Sequence, residues 1–187
     1  MPASDILPDF LIEQIDTPIG LTFLVTDRAG TLRAVDWDDH AERLHRQLER
    51  RYGPDLTLSH ADTPSAARRA LEAYFAGDLT ALDGISTEGA GTDFQRDVWR
   101  ALRDIPVGET ISYGELARRI DRPKAVRAVG LANGANPIPI VVPCHRVIGA
   151  NASLTGFGGG LDRKRWLLAH EGVDAARWGE PRQAALF

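Results

Sequence analysis

The spacing of apolar residues changes once along this chain, at Ser86–Gly91, and this change most restricts the fold that the chain can adopt. Before it, apolar and polar residues alternate over Phe10–Ile15, Leu21–Thr26 and Thr31–Trp37, which predicts strands. After it, apolar residues recur at the spacing of helices. The stretch itself consists of small and polar residues, which are typical of a linker. We therefore expect two domains of different architecture.

The first domain is expected to cover residues 1–88 and to combine a small sheet with helices. Apolar spacing predicts helices over Ala41–Arg51 and Pro64–Ala76, and Leu79–Ile85 fits one more strand. The second domain is expected to be mainly helical and to cover residues 89–176. A flexible tail is expected over residues 177–187.

The second half contains signals for three helices. Thr92–Gln95 has the pattern of a capping box that begins a helix, and Ser112–Glu115 has it again. The second of these helices is expected to end near Ile120, and Asp121–Pro123 to connect it tightly to a third helix over Lys124–Asn133. Two short helices joined by a short turn form the outline of a helix-turn-helix, although the same outline also occurs as ordinary core packing.

Charge is distributed unevenly between the two halves. Residues 1–91 carry 8 Lys or Arg and 16 Asp or Glu, whereas residues 92–187 carry 14 and 10. The second half is therefore the one suited to an anionic partner. Its basic side chains cluster on the expected helix pair, at Arg118, Arg119, Arg122, Lys124 and Arg127. Such a cluster suits DNA phosphates, and a solvated helix surface would also account for it.

No feature of the chain indicates a membrane or an export route. The sequence has no apolar run long enough to cross a bilayer, and Met1–Glu13 lacks the basic start and apolar stretch of a signal peptide. We therefore expect a soluble, cytoplasmic protein.

The single cysteine, Cys144, excludes an internal disulfide and argues against a zinc site. The apolar run Ile138–Val142 predicts a buried, strand-like segment that ends at this cysteine. His145 follows directly, and an adjacent imidazole lowers the pKa of a thiol and activates it as a nucleophile. A buried structural cysteine is the alternative at this point.

The residues around the cysteine also resemble a known signature. The run Pro143–Val147, PCHRV, resembles the active-site signature of the O6-alkylguanine-DNA alkyltransferases. Longer segments resemble other blocks of that family in the same order: Thr92–Leu102, Gly108–Leu116, Ala125–Asn136 and Leu154–Gly172, with weaker N-terminal resemblances at Thr17–Gly20 and Ala73–Gly77. The resemblance covers nearly the whole chain.

The resemblance implies both a fold and an activity. The fold would be a small α/β N-terminal domain, ribonuclease H-like, followed by a mainly helical C-terminal domain with a helix-turn-helix. The activity would be DNA repair by direct reversal, in which the alkyl group of O6-alkylguanine passes irreversibly to Cys144, with O4-alkylthymine as a second candidate substrate. Each molecule would act once, without a cofactor or a metal, on double-stranded DNA bound through the minor groove.

The resemblance also implies roles for residues near the cysteine. His145 and Glu171 match a histidine and a glutamate that form a relay with Cys144 through water. Tyr113 matches a tyrosine that helps to rotate the nucleotide and donates a hydrogen bond to the guanine ring, which leaves as an anion. Asn136 matches an asparagine that fixes the turn before the cysteine.

The same comparison implies a DNA surface and a base pocket. Arg127 matches the arginine that fills the gap left by the flipped base. The other residues expected at DNA are Tyr113, Arg118, Arg122, Lys124 and Ala125. The pocket is expected to be lined by Pro139, Phe157, Gly158 and Gly159. Ala152 stands where the family usually has glycine, so a positive φ there would strain it.

The C-terminal tail has a possible partner of its own, and two rival functions remain open. Gln183, Leu186 and Phe187 resemble the peptide by which bacterial repair and replication proteins dock on the sliding clamp, and a tail without a partner is the alternative. One rival function is a DNA-binding protein that recognises the lesion without transfer, although such relatives lack the acceptor cysteine. Another is a Cys-His hydrolase, which leaves the basic helix pair unexplained.

Overall fold

The computed structural model describes residues 9–174, which form two compact units. The first unit contains the chain as far as Gly91 together with Pro137–Val141. The second unit contains Thr92–Asn136 and the chain from Val142 onward. The chain thus leaves the second unit at Pro137 and returns to it at Val142, two residues before Cys144. The sequence did not indicate this division.

The first unit is built on a four-stranded sheet. Its strands are β1 (Asp9–Thr17), β2 (Gly20–Asp27), β3 (Leu32–Trp37) and β4 (Thr57–His60), in the order β3-β2-β1-β4. The first three form an antiparallel meander, and β4 pairs parallel to β1. The three predicted strands are confirmed, whereas β4 was missed because it contains a single apolar residue, Leu58.

Two helices accompany the sheet and confirm the α/β architecture of this unit. Helix α1 (Ala41–Tyr52) buries Leu44 and Leu48, which join a core cluster with residues of β1, β2 and β3: Phe10, Val25 and Ala34. Helix α2 (Ala66–Phe75) begins at Ser65, whose hydroxyl accepts a hydrogen bond from the Arg68 N–H at 3.0 Å. Such a cap satisfies one of the amides that the first turn leaves unpaired.

The strand predicted over Leu79–Ile85 is wrong. The segment forms consecutive turns, and the Asp78 carboxylate accepts hydrogen bonds from the Thr80 amide at 3.2 Å and hydroxyl at 2.8 Å. This local bonding competes with a strand for the backbone. The linker stretch is also partly structured, because Leu32 donates to Ser86 O at 2.9 Å and accepts from the Glu88 N–H at 3.0 Å.

The second unit begins with helix α3 (Asp93–Arg103), which has the complete predicted capping box. Gln95 N–H donates to the Thr92 hydroxyl at 3.2 Å, and Thr92 N–H donates to the Gln95 side chain at 3.0 Å. Its apolar residues Val98, Ala101 and Leu102 are buried, as is Ile105 just beyond the end of the helix. The remaining helices are α4 (Tyr113–Arg119), α5 (Val126–Gly134) and α6 (Leu161–His170).

A short parallel strand pair determines where the reactive residues lie. Strand β5 (Ile111–Ser112) pairs with β6 (Val147–Ile148) in the register Ile111 to Val147. Tyr113 directly follows β5, and the segment Cys144–Arg146 directly precedes β6. The pairing therefore brings two distant parts of the sequence to the same edge.

The second predicted capping box is half formed. The Ser112 hydroxyl accepts from the Glu115 N–H at 3.1 Å, which begins α4 as expected. The Glu115 carboxylate, however, accepts from Arg118 at 2.7 Å and Arg119 at 3.4 Å, so ion pairs occupy it. Helices α4 and α5 pack against each other across a turn in which Asp121 has a φ of 56°.

The run Ile138–Val142 is buried, as predicted, but it is not a strand. It forms bends and turns, and Ile140 has a φ of 74°, which a β-branched residue rarely adopts. Three prolines explain the difference. Pro137, Pro139 and Pro143 have no N–H to donate to a neighbouring strand, so a continuous ladder cannot form here. Within residues 9–174, no helix is both long enough and apolar enough to cross a bilayer.

Candidate active site

Cys144 begins a short 3-10 helix, Cys144–Arg146, directly after the turns. Its N–H donates to Val142 O at 2.8 Å, and the Asn136 amide donates to the same carbonyl at 2.8 Å. Asn136 therefore holds the backbone two residues before the cysteine. The Cys144 side chain is a free thiol with 5% of its surface exposed.

The environment of Cys144 acts on its ionisation in two directions. Burial raises the pKa of the thiol above its usual range, since a thiolate is poorly solvated in the interior. A hydrogen bond from the Asn136 side chain and the charge of Lys164 act against this rise in pKa. The thiol is therefore protonated at rest, with two groups placed to stabilise the thiolate when it forms.

His145 and Glu171 form a fully buried pair, with His145 Nε2 2.9 Å from Glu171 Oε1. Glu171 occupies the C-cap position at the end of α6. Burial also lowers the pKa of His145, so the ring is neutral at rest. A neutral ring that donates from Nε2 to a carboxylate leaves Nδ1 as the basic nitrogen. Nδ1 is buried and makes no hydrogen bond to any described residue.

Arg146 completes this cluster, and the sequence analysis gave it no role. Its Nε donates to Glu171 Oε2 and its Nη2 to Glu171 Oε1, each at 2.9 Å, while Nη1 donates to Ile105 O at 2.5 Å. Burial alone would raise the pKa of Glu171, but His145 and Arg146 hold it well below its usual range. Glu171 is therefore a carboxylate at any pH near neutrality.

Lys164 is a second residue of the site that the sequence did not indicate. It lies in α6 with no exposed surface, and its Nζ donates to Val147 O at 2.6 Å and Thr155 O at 2.8 Å. Burial lowers the pKa of its ammonium group to about 8, and the neighbouring Cys144 acts in the opposite direction. One signal in the sequence could have found it: Lys164 shares the apolar stripe of α6 with Leu161 and Leu168.

The buried charges of this region are unbalanced when the thiol is protonated. Among the described residues of the second unit, the buried ionised side chains are Arg146, Lys164 and Glu171. Two cations thus face one carboxylate, and burying an unpaired charge is unfavourable. Ionisation of Cys144 supplies the missing anion. The charge of Lys164 therefore favours the thiolate form of Cys144.

Tyr113 lies at the start of α4, and its hydroxyl donates to Thr155 O at 3.4 Å. Burial raises the pKa of this hydroxyl, and the charge of an ionised Cys144 raises it further. The hydroxyl therefore keeps its proton and can act as a donor. Thr155 O also accepts from Lys164, so Tyr113 and Lys164 hold the same carbonyl of the loop that follows β6.

The loop between β6 and α6 has the predicted strain. Ala152 has a φ of 59°, where L side chains are disfavoured. Its methyl group packs against a cluster formed by Ile148, Leu154, Leu168 and Val173, and this contact offsets part of the cost. The Ala152 N–H also donates to Gly149 O at 2.9 Å, so a tight turn fixes the residue.

The predicted pocket residues are divided between the two units. The Phe157 ring packs edge-on against His145, with ring centroids 6.5 Å apart. Gly158 is exposed, and Gly159 is buried with its carbonyl accepting from Arg163 at 3.0 Å. Pro139 is buried in the segment Pro137–Val141, which is part of the first unit.

The predicted DNA-contacting residues lie on α4, α5 and the turn between them. Arg118, Arg122, Lys124 and Arg127 are exposed, and Ala125 precedes the first residue of α5. Arg118 is paired with Glu115, whereas the Arg127 side chain forms no ion pair or hydrogen bond with another described residue. Within residues 9–174, no group of three or more His, Cys, Asp or Glu side chains could hold a metal ion.

Comparison with known proteins gives one consistent result. Residues 93–173 match the family described as 6-O-methylguanine DNA methyltransferase, DNA binding domain. A methylated-DNA–protein-cysteine methyltransferase of Shigella flexneri is 48% identical over 87% of this chain and 95% of its own length. One of Mycolicibacterium paratuberculosis is 52% identical over 84% of this chain and 89% of its own.

A solved structure is similar over the same extent. The Mycobacterium tuberculosis OGT protein, crystallised in complex with DNA, is 45% identical with a TM-score of 0.72, and the match covers 91% of this chain and 94% of that one.

Proposed function

Because this chain belongs to the family of methylated-DNA–protein-cysteine methyltransferases, and hence repairs DNA by direct reversal, we propose that its buried Cys144 is the acceptor of the alkyl group. The observation that supports this most directly is the charge of the buried cluster. The buried ammonium of Lys164 lies near the thiol and acts to lower its pKa, which favours thiolate formation. A structural cysteine would need no such surroundings.

The proposed reaction moves one proton and one alkyl group. The Cys144 thiol gives its proton through a water molecule to His145 Nδ1, and Glu171 stabilises the resulting imidazolium. The sulfur attacks the alkyl carbon, the bond from that carbon to O6 breaks, and a carbon–sulfur bond forms. The electron pair stays on guanine, which leaves as an anion and accepts a hydrogen bond from Tyr113. The anion then takes a proton from water, and the imidazolium of His145 returns its proton to water.

Lys164 and Asn136 act on the thiolate of Cys144 rather than on guanine. The Lys164 ammonium supplies the positive charge, and the Asn136 amide donates a hydrogen bond to the sulfur. Stabilising the thiolate lowers the barrier because the thiolate, not the thiol, is the nucleophile. The thioether product has no route back to a thiol, so each molecule acts once and needs no cofactor.

We further propose that α4, the turn and α5 act as a helix-turn-helix at the minor groove. Arg127 is exposed and has no partner among the described residues, so it is available to enter the duplex where the damaged nucleotide is flipped out. Arg118, Arg122 and Lys124 bind phosphates, and the Ala125 position allows the backbone close to DNA. Tyr113 helps to rotate the nucleotide.

The flipped base is expected to lie against Phe157, with Gly158 and Gly159 allowing close approach of the backbone. A role for Pro139 at the base is implied by the resemblance to the family alone. O6-alkylguanine is the proposed substrate and O4-alkylthymine a second one. The first domain, residues 1–88, is proposed as a ribonuclease H-like scaffold for the catalytic domain over residues 89–176.

One experiment tests the acceptor directly. Excess protein is incubated with a duplex that carries one O6-methylguanine, and the protein is then digested and its peptides weighed. The expected result is one added methyl group on the peptide that contains Cys144, with guanine restored in the DNA. A Cys144→Ser variant should leave the lesion intact. Lesion binding with an unmodified Cys144 would instead support recognition without transfer.

The tail offers a separate proposal. Gln183, Leu186 and Phe187 lie outside the described residues, and the proposal that they dock on the sliding clamp rests on their sequence alone. Calorimetry with a peptide of the last ten residues tests it. Absence of heat on mixing with the clamp would remove this partner without affecting the proposed reaction.

A further inference from the structure

Two large apolar side chains are exposed among residues 9–174, and both lie on α5. Leu131 has 71% of its surface exposed and Val126 has 38%. A single exposed leucine is common on protein surfaces, so exposure by itself indicates no function. Two such side chains on one helix of nine residues, with no others in the described part of the chain, call for an explanation.

Leu131 shares a face of α5 with Arg127. The two residues are four positions apart, so their side chains are neighbours on the helix surface. Gly134 continues the same face three positions further on, and a methyl group added there would meet no atom within 4 Å. All three residues are exposed, so the face is open from Arg127 to the end of the helix. Val126 belongs to another face, about 140° around the helix from Leu131.

The charges around this face indicate duplex DNA as its partner. Arg122 and Lys124 are exposed in the turn that leads into α5, and Arg127 is exposed on the face itself. Helix α5 also lies within the segment that matches the family's DNA binding domain. Proteins that bind the minor groove combine such cations with apolar side chains that press between neighbouring base pairs. Leu131 has the size and the exposure for this second role.

We propose that Leu131 is a specificity-determining residue that enters the minor groove beside Arg127 and makes transfer depend on the base pairs next to the damaged nucleotide. The inference rests on the proposed placement of α5 in the minor groove. A G·C pair presents the N2 amino group of guanine there, whereas an A·T pair has no donor in this groove. Leucine has no acceptor for the amino group, so contact with a G·C pair leaves a buried donor without a hydrogen bond. Transfer should therefore be faster where A·T pairs flank the lesion.

Inosine isolates this effect, because it is guanine without the N2 amino group. Duplexes with one O6-methylguanine are flanked on both sides by G·C, inosine·C or A·T pairs, and the second-order rate of transfer is measured below saturation. A weaker duplex also eases flipping for any variant. The measurement is therefore the preference for inosine·C over G·C in the native protein relative to Leu131→Ala. This preference is expected to be about fivefold larger in the native protein, and A·T should behave as inosine·C does.

Two further variants make the test specific to the leucine side chain. Val126→Ala is the matched control, because it removes the other exposed apolar side chain of α5 and should keep the native preference. Leu131→Gln supplies an acceptor for the amino group, so it should react with the G·C duplex nearly as fast as with the inosine·C duplex. Substitutions at these exposed positions leave the buried core untouched.

The same preference in the native protein and in Leu131→Ala would overturn the inference and leave the proposed transfer intact. Absence of transfer by the native protein from every duplex would instead remove the proposed function. A second copy of the chain is the other candidate occupant of this face. Self-association of the native protein in sedimentation runs without DNA, abolished by Leu131→Ala, would identify that occupant and also overturn the inference.

Discussion

Arg146 and Glu171 form a buried, bidentate ion pair in which both guanidinium-to-carboxylate distances are 2.9 Å. The same carboxylate also lies 2.9 Å from His145 Nε2. A single side chain therefore contacts both the reactive histidine and the buried arginine. Bidentate pairs of this type are among the stronger polar contacts in proteins. Removing one member leaves the other as an unpaired buried charge.

Glu171→Gln is therefore expected to lower the free energy of unfolding by about 3 kcal/mol. The reason is that Arg146 and Lys164 would remain buried without a carboxylate. Urea unfolding at neutral pH measures the change. Glu115→Gln is the matched control, because Glu115 also pairs with two side chains, Arg118 and Arg119, but at the surface, and its effect on the free energy of unfolding should be much smaller. Equal effects of the two substitutions would contradict the prediction.

The contribution of Glu171 should also depend on pH. Its pKa in the folded protein is held well below the ordinary value of 4.5, so the unfolded chain binds its proton first as the pH falls. The stability that Glu171 contributes is thus fully present above that ordinary value and is lost progressively below it. The difference in unfolding free energy between the native protein and Glu171→Gln should narrow in acid. A difference that stays constant down to about pH 3 would contradict this assignment.

Lys164→Met is expected to slow the reaction of Cys144 with iodoacetamide about tenfold near neutral pH. Loss of the buried ammonium raises the pKa of the thiol and reduces its thiolate fraction. The advantage of the native protein should shrink as the pH rises through about 8, where Lys164 itself loses its proton. Arg165→Met is the control, since Arg165 is adjacent in α6 but pairs with the exposed Asp162. A rate equal to that of this control would exclude Lys164 as the counter-ion.

Arg127→Ala is expected to slow repair of a duplex by a factor of ten or more while affecting single-stranded substrate much less. Flipping a nucleotide out of a duplex costs a few kcal/mol, and this cost is nearly absent in a single strand. The ratio of the two single-turnover rates is the measurement. Arg100→Ala, which removes an exposed arginine of α3 paired with Asp97, should leave the ratio unchanged. A uniform loss on both substrates would indicate ordinary phosphate binding by Arg127.

Alkylation of Cys144 is expected to lower the free energy of unfolding by about 1–3 kcal/mol, because the side chain is 95% buried and the added group must be accommodated in packed surroundings. The thioether also cannot ionise, so Lys164 permanently loses its anion. Thermal melts of the protein before and after reaction with a stoichiometric lesion duplex, with the DNA removed, measure the change. Coincident melts would show that the site accepts the group without strain.

Much of the fold could be predicted because it depends on local pattern. The alternation of Leu21–Thr26 and the capping box at Thr92 are each determined by neighbouring residues, and the structure confirms both. Strand β4 depends on pairing with β1 rather than on its own residues, so its sequence does not reveal it. The segment Ile138–Val142 shows the opposite error, since its apolar run indicates burial but its prolines exclude a strand.

The residues of the site likewise differ in whether the sequence alone reveals them. Cys144 and its neighbour His145 are recognisable because they form one contiguous signature, and Glu171 follows from the resemblance to the family. Arg146 and Lys164 were missed because charged residues are ordinarily at the surface, and only tertiary contacts show that they are buried.

The buried thiol of Cys144 is also the only sulfhydryl group in the chain. Every unreacted molecule therefore contains one titratable thiol after denaturation, and every molecule that has accepted an alkyl group contains none. A simple thiol assay on denatured protein would count the unused fraction of any preparation. The fraction of molecules without a titratable thiol is thus a measure of dose, because it is proportional to the number of lesions that the protein has repaired.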